Sequence, residues 1–457
     1  MTYSLRVVSQ QATVGRLTYE PRQGLAGRYA FAYDPGWLRR NDRFPLSPHL
    51  PLRGEPSDPD TVARFLANLL PEGRALEVAA AHHHIAKSNT FALIRLLGKE
   101  PVGALSFVPE DEPSPDPAEQ HTAFMPEKRQ ISREELNQRI ADRNRDVPFP
   151  VWDGRVRLSV AGFQDKLQVL VEGDRIALAD GRLSSTHILK PESINAKWES
   201  LVANEHYCMR LAAEMGLPVA PVQIWRIPAP ILLIQRFDRV VTWDAADGET
   251  VRDVRRLHVI DGCQAMDLPV GYKYERNFGS TKDVMHVRDG ASFEKLFALN
   301  RFFAVPAMAR AFMLRWALLN VLLGNCDAHG KNISFFVSAK GISPAPLYDL
   351  VSVGVYGDAV EQELAIAYGD EFQLEALTPF AMADFGSRIG VKASLLQREM
   401  TRMAQAATNL APRLAESDTY VGQERELVRR IAEFVQAQAR RMAQIATQVR
   451  RVKADLL

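Results

Sequence analysis

The sequence predicts an α+β protein in which a strand-rich part precedes a helix-rich part. Three observations carry that expectation. Between residues 151 and 238, short runs of β-branched and aliphatic residues alternate with turn residues. Beyond Ser292 the apolar residues recur mostly at helical spacing. Between the two regimes, Gln235, Arg236, Phe237 and Asp238 read as a hinge-like segment.

The elements follow in order. Within residues 1–108, residues 13–19 and 28–33 place β-branched and aromatic side chains between glycines, which suits a small sheet. From Asp60 the period changes, with Val62, Phe65, Leu66, Leu69 and Leu70 marking a helix; Pro71, Glu72 and Gly73 interrupt it and residues 91–97 resume it. Residues 109–119 (PEDEPSPDPAE) are proline-rich and acidic, a stiffened linker, and a polar helix-like stretch follows at 132–146. Residues 167–171 and 176–179 read as strands around the turn Glu172-Gly173-Asp174, and 231–234 as a buried strand. Residues 197–215 read as a helix stopped by Gly216 and Pro218. The expected divisions are 1–108, 109–150, 151–238 and an all-helical 239–457, although 333–337 and the stretch around Tyr348 interrupt the helical pattern. Residues 423–453 form one long amphipathic helix.

Composition narrows the classes. A chain of 457 residues exceeds one ordinary core. Lys plus Arg number 56 against 55 Asp plus Glu, which argues against a chain that is basic throughout. Cys208, Cys263 and Cys326 are too widely spaced for a zinc site or a disulfide scaffold, as expected of a protein in a reducing cytoplasm. No signal-peptide pattern opens the chain, and the apolar run 311–324 is broken by Arg315 and too short to span a bilayer. It reads as a buried helix of a soluble protein with no membrane partner. His82, His83 and His84 are consecutive and fan around a helix, so a surface run is expected. The pairs Arg429-Arg430, Arg440-Arg441 and Arg450-Arg451 line one side of the last helix, diluted by Glu424, Glu426 and Glu433; a solvated face is expected. No helix-turn-helix, zinc finger or aromatic platform supports direct DNA reading.

The chemistry concentrates in GNCDAHGKNISFF, beginning at Gly324, and PLYDL, beginning at Pro346. Phosphoryl transfer needs a carboxylate to take the proton of the attacking hydroxyl, and oxygen ligands that hold Mg²⁺ against the phosphates. A D-x-x-x-x-N segment sets Asp327 and Asn332 at the two ends of one tight loop, and Asp349 follows a strand. On that reading Asp327 is the catalytic base and Asn332 and Asp349 are metal ligands. His329 either orients Asp327 or Asp349 by hydrogen bonding or has a structural role, and His329 and Lys331 count among the ATP-binding residues. Upstream, Val160, Ala161, Gly162, Phe163 and Gln164 read either as a plain hairpin or as a small-residue turn able to aim backbone N–H groups at phosphate. Lys190 ends an apolar strand and could reach the phosphates, held by Glu205. A strand-rich lobe, a hinge and a helix-rich lobe are the parts of a bilobal protein-kinase-like fold, here with an extra N-terminal subdomain.

At this point the sequence resembles the HipA family of toxin kinases over nearly its full length. The resemblance rests on LSPHLPLR from Leu46, NLLPEG from Asn68, VGALSF from Val102, LSVAGFQDK from Leu158, THILK from Thr186, NEHYC from Asn204, QRFDR from Gln235, NCDAHGKN from Asn325 and PLYDL from Pro346. It implies an ATP-dependent serine/threonine protein kinase that arrests growth by phosphorylating a cellular protein, glutamyl-tRNA synthetase in the best-known members. It implies autophosphorylation at Ser159, with Lys190 on the ATP phosphates and Gln235, Arg236 and Phe237 meeting adenine through backbone groups. It also implies a helix-turn-helix antitoxin partner of the HipB type, with operator DNA bound only through that complex. The family often has Gly-His-Ala where this chain has Ala328-His329-Gly330, and often Glu at Gln235. Two rivals remain: a small-molecule phosphotransferase with a similar loop, and a catalytically idle corepressor that docks an antitoxin.

Overall fold

The computed structural model describes residues 2–22, 25–110, 128–143, 148–157, 164–179 and 183–453. Two compact units emerge: residues 1–191, 225–260 and 336–341 form the first, and 192–224, 261–335 and 342–457 the second. Residues 235–238 thus lie within the first unit.

The first unit holds two main sheets. In one, the strand order is Leu25–Tyr33, Ala12–Arg22, Tyr3–Ser9, Leu105–Pro109, with antiparallel pairing throughout. Alternation does the sorting: Leu5 and Val7 face the core while their neighbours are partly exposed. The Pro59–Asn68 helix begins where the Asp58 carboxylate accepts from Thr61 N at 2.8 Å, and it buries Val62, Phe65 and Leu66. Instead of a simple break at Gly73, a second helix runs Gly73–His82, and the Thr90–Leu97 helix follows. His82 and His84 are exposed, as a surface run should be.

The other sheet has six strands in the order Val222–Ile227, Ala229–Gln235, His187–Pro191, Leu167–Glu172, Arg175–Ala179, Lys128–Ile131. The hairpin turns at Gly173, whose φ of 60° suits glycine. Leu167, Val169, Val171, Ile176, Leu178, Leu189, Ile231 and Leu233 build its core with Phe149 and Trp152. The polar Arg133–Ala141 helix, capped by Ser132, adds Leu136 and Ile140 to that core. Most of the acidic, proline-rich stretch lies outside the described residues.

The second unit is built around the Pro306–Leu323 helix, where Met313, Trp316, Ala317, Leu318 and Leu322 are buried. That helix is long and apolar enough to cross a bilayer, but 61% of it is buried within the protein, and Arg315 is held by Glu399 at 2.9 Å. The Ala393–Ala415 and Gln423–Val449 helices pack along each other through Met400, Met403 and Ala407 on one and Leu427, Ile431, Val435 and Met442 on the other. On the last helix Arg429, Arg430 and Arg440 are exposed, as are Arg450 and Arg451 just past its end, whereas Arg441 turns inward to the carbonyls of Leu374 and Leu377.

An all-helical stretch from 239 to the end is corrected. Arg239–Trp243 and Val251–Arg256 form a hairpin, Ser334–Ser338 and Gly341–Pro344 belong to a three-stranded sheet, and Glu363–Tyr368 pairs with Glu371–Gln373. The physical reason lies in short β-branched runs closed by turn residues. Val240, Val241, Val251 and Val254 flank Asp247 and Gly248, and the Asp247 carboxylate takes the amides of Glu249 and Thr250 at 2.9 Å.

Candidate active site

The Pro306–Leu323 helix delivers the D-x-x-x-x-N loop. It ends on Gly324, in the left-handed region at φ 59°, where a Cβ would meet the Phe434 ring at 2.6 Å. Asn325 is fixed by its own backbone N–H on Asn320 O at 2.9 Å and by its amide on Asn320 Oδ1 at 3.1 Å. Asp327 comes next. Its carbonyl accepts from His329 N at 2.8 Å and from the Asn332 side-chain amide at 2.8 Å, so the loop closes on itself. That contact orients the Asn332 amide, whose Oδ1 is the acceptor.

Three anchors fix the loop. Gly330 N donates to Lys273 O at 2.8 Å, and a Cβ at Gly330 would meet Ala291 Cβ at 2.7 Å and Cys263 Sγ at 3.0 Å. Glycine at that position follows from this close packing. The Lys331 ammonium pairs with Asp261 Oδ2 at 2.6 Å, and Asp261 also caps the Gly262–Met266 helix in a capping box with Gln264. Tyr348 donates to Lys331 O at 2.6 Å and shares a 2.7 Å contact with the Ser334 hydroxyl, which ties the neighbouring Asp349 to the loop. Asp349 sits at φ 56°, a conformation aspartate tolerates better than most residues.

His329 is buried. Burial, with Lys273 and Lys331 adding to it and Asp349 opposing, pushes its pKa down to about 3, so the imidazole is neutral. Its Nδ1 takes the Lys331 N–H at 3.2 Å, and its ring meets Tyr274 edge-on at 5.1 Å. One ring nitrogen of His329 thus serves the loop backbone. The hydroxyl of Tyr274 donates to Asp327 Oδ1 at 2.6 Å. Composition and spacing gave no sign of it, because the contact joins residues 53 apart. Asp261 was more legible, since Asp-x-x-Gln is a capping-box pattern.

The first unit carries the other candidates. Lys190 is buried on the strand His187–Pro191, opposite Leu232. Gln164 donates from its amide to Pro191 O at 3.3 Å. Gln235 is exposed and pairs with His187 in the ladder. Phe237 lies edge-on to Phe336 with centroids 5.9 Å apart. The Arg236 amide donates to Thr186 O at 2.9 Å. Its guanidinium is buried and grips Asp238, Nε to Oδ1 at 3.0 Å and Nη2 to Oδ2 at 2.8 Å. Ser159, Val160, Ala161, Gly162 and Phe163 lie outside the described residues. Glu205 is buried on the Leu201–Glu214 helix of the second unit.

Arg236 belongs to a larger ion cluster. Arg239 reaches Asp238 Oδ2 at 2.7 Å and Glu100 Oε1 at 3.3 Å. Glu100 also accepts from Ser185 N at 2.8 Å and Ser185 Oγ at 2.6 Å. Arg256 donates to the carbonyls of Pro101, Gly103 and Leu105 at 3.0, 2.9 and 2.6 Å. Burial alone would raise both acids, but Arg236 and Arg239 outweigh it and hold Asp238 and Glu100 below the usual carboxylate range.

Among the described residues no group of three His, Cys, Asp or Glu side chains has metal-holding geometry. One carboxylate and one amide oxygen, as at Asp349 and Asn332, nevertheless suit Mg²⁺, which takes few protein oxygens and relies on substrate phosphates and water for the rest.

Comparison with known proteins places this geometry. The family model described as the HipA N-terminal domain matches residues 5–108, and that of the HipA-like C-terminal domain matches 158–411. The serine/threonine-protein kinase toxin HipA of Shewanella oneidensis is 41% identical over 407 residues, 88% of this chain and 87% of that protein. The putative kinase Y4mE of Sinorhizobium fredii is 33% identical over 412 residues, 89% of this chain and 92% of its own length. In the solved structure of the Shewanella oneidensis HipA, HipB and operator DNA complex, one chain matches with a TM-score of 0.84 at 37% identity, covering 98% of this chain and 100% of that one. The chain belongs to the HipA family and is a serine/threonine-protein kinase toxin of that family.

Proposed function

We propose that Asp327 is the catalytic base of this kinase and that Asn332 and Asp349 hold Mg²⁺ beside ATP. The observation that carries the reading is the closure of Asn332 onto the Asp327 carbonyl at 2.8 Å, which brings the two ends of the D-x-x-x-x-N segment together. The Asp327 carboxylate takes the proton of a serine or threonine hydroxyl as its oxygen attacks the γ-phosphorus and ADP leaves. Bound Mg²⁺ supplies neutralisation of phosphate charge. Lys190 meets the ATP phosphates together with His329, Lys331 and the segment Val160, Ala161, Gly162, Phe163 and Gln164. Backbone groups of Gln235, Arg236 and Phe237 meet adenine.

The fold is bilobal and protein-kinase-like, with an extra N-terminal subdomain. Ser159 is the autophosphorylation site: about −2 charge beside a phosphate-binding turn repels ATP and silences the enzyme. The kinase acts in the cytoplasm on a cellular protein, an aminoacyl-tRNA synthetase being the first candidate. The named relative is solved with HipB and operator DNA. By likeness, this chain pairs with a helix-turn-helix antitoxin of that type and meets operator DNA through it.

The test is phosphate transfer from [γ-³²P]ATP with MgCl₂ to the chain and to proteins of an added lysate. Wild type labels Ser159 and a lysate protein, and Asp327→Asn labels neither. Full labelling by Asp327→Asn would remove the assignment.

A further inference from the structure

We propose that Tyr274 is a positioning residue for the catalytic aspartate, fixing the Asp327 carboxylate through its hydroxyl. The inference rests on Asp327 being the base. A carboxylate turns about a soft terminal torsion, and an off-angle base loses the benefit of proximity. Within the same loop, the Lys331 ammonium holds Asp261 at 2.6 Å. The hydroxyl of Tyr274 reaches Asp327 Oδ1 at 2.6 Å, a charge-assisted hydrogen bond.

The placement of Tyr274 is built rather than incidental. On one side Lys273 is buried, and its carbonyl takes Gly330 N of the catalytic loop at 2.8 Å. On the other side Glu275 is buried: its N–H donates to Ala365 O at 2.9 Å and its carboxylate accepts from Ala367 N at 2.8 Å and Arg288 Nε at 2.7 Å. Ala291 N to Tyr272 O at 2.8 Å and Gly290 N to Glu275 O at 3.1 Å close the segment behind it. Between two pinned neighbours, the half-exposed Tyr274 ring rests edge-on against His329 and its hydroxyl meets the carboxylate. Core tyrosines of this unit end differently: Tyr207 on Ala411 O at 2.7 Å and Tyr368 on Ala317 O at 2.6 Å, both neutral backbone carbonyls. Tyr274 ends on the one carboxylate that must hold still.

The experiment compares wild type, Tyr274→Phe and Asp327→Asn in transfer from [γ-³²P]ATP and MgCl₂ to lysate protein, with thermal melting and binding of a fluorescent ATP analogue alongside. Phenylalanine keeps the ring on His329 and removes the hydroxyl alone. Expected is a fall in kcat of about 10- to 100-fold, with KM for ATP and analogue affinity within about twofold of wild type. Tyr274→His, which keeps a ring N–H donor, recovers part of the lost kcat and guards against a folding defect in the phenylalanine variant. Tyr274→Phe at wild-type kcat beside an inactive Asp327→Asn overturns the role of Tyr274 and leaves the base reading standing. An active Asp327→Asn removes both. A defect confined to KM, no recovery in a folded Tyr274→His, or phosphate found on Tyr274 itself also overturns the proposal.

Discussion

The Lys331 ammonium and the Asp261 carboxylate form a buried ion pair at 2.6 Å, with 3% and 13% of the two side chains accessible. Its effect is to hold the far end of the D-x-x-x-x-N loop against the start of the Gly262–Met266 helix. Asp261→Asn keeps an N-cap but removes the carboxylate charge that faces the ammonium. It is expected to destabilise the protein by about 3 kcal/mol, the usual cost of breaking a buried pair from one side. Urea unfolding measures this. The double variant Asp261→Asn/Lys331→Met is expected to regain more than half of the loss, and no regain would refute the pairing as the cause.

Glu100 makes the stability of the first unit depend on pH. Its pKa is held below the ordinary glutamate value, because Arg239, Arg236 and Arg256 overcome the upward push of burial. A depressed folded pKa stabilises above the unfolded pKa and loses that contribution as pH falls through the folded one. Glu100→Gln is therefore expected to cost about 2 kcal/mol at pH 7. The gap between the two proteins should stay constant down to about pH 5 and narrow below about pH 4. Unfolding midpoints of both proteins across pH 3–8 check the sign, and a gap that widens on acidification would refute it.

Asn332→Ala removes both a candidate oxygen ligand and the amide that closes the loop on Asp327 O. Phosphate transfer is expected to fall by about 100-fold or more and to need higher MgCl₂ for half-maximal rate. A magnesium titration of labelling rate reads this, and an unchanged magnesium requirement would count against Asn332 as a ligand.

Gly290→Ala should injure activity from a distance. A Cβ there would come within 1.7 Å of Tyr274 O and 2.9 Å of Tyr272 O, both backbone atoms that cannot swing aside. The segment carrying Tyr274 must shift, at about 1–3 kcal/mol of stability. Melting temperature and kcat should drop together, whereas in Tyr274→Phe only kcat drops.

Local features were the legible ones. The turn Glu172-Gly173-Asp174 gave its hairpin, Gly216 stopped the Leu201–Glu214 helix, and the spacing of Asp327 and Asn332 closed a loop whose bonds run within five residues. Long-range partners were not. Tyr274 meets Asp327 through a contact no periodicity encodes, and Glu100 meets Arg239 across 139 positions. The hairpin at 239–256 was lost for a different reason. Its two short valine-bearing runs carry arginines and aspartates between them, which dilutes the alternation that marks a strand.

The first unit is assembled from separated stretches of chain, and synthesis delivers them in sequence. When residue 191 has left the ribosome, the strand His187–Pro191 still lacks its neighbour Ala229–Gln235, and Glu100 awaits Arg236 and Arg239. The nascent polypeptide therefore carries a bare sheet edge and an unmatched acid until the later stretches emerge. Residues 336–341, the last contributors to the unit, follow the D-x-x-x-x-N loop itself. An enzyme wired this way cannot complete its first unit until residue 341 has emerged, long after the strand His187–Pro191.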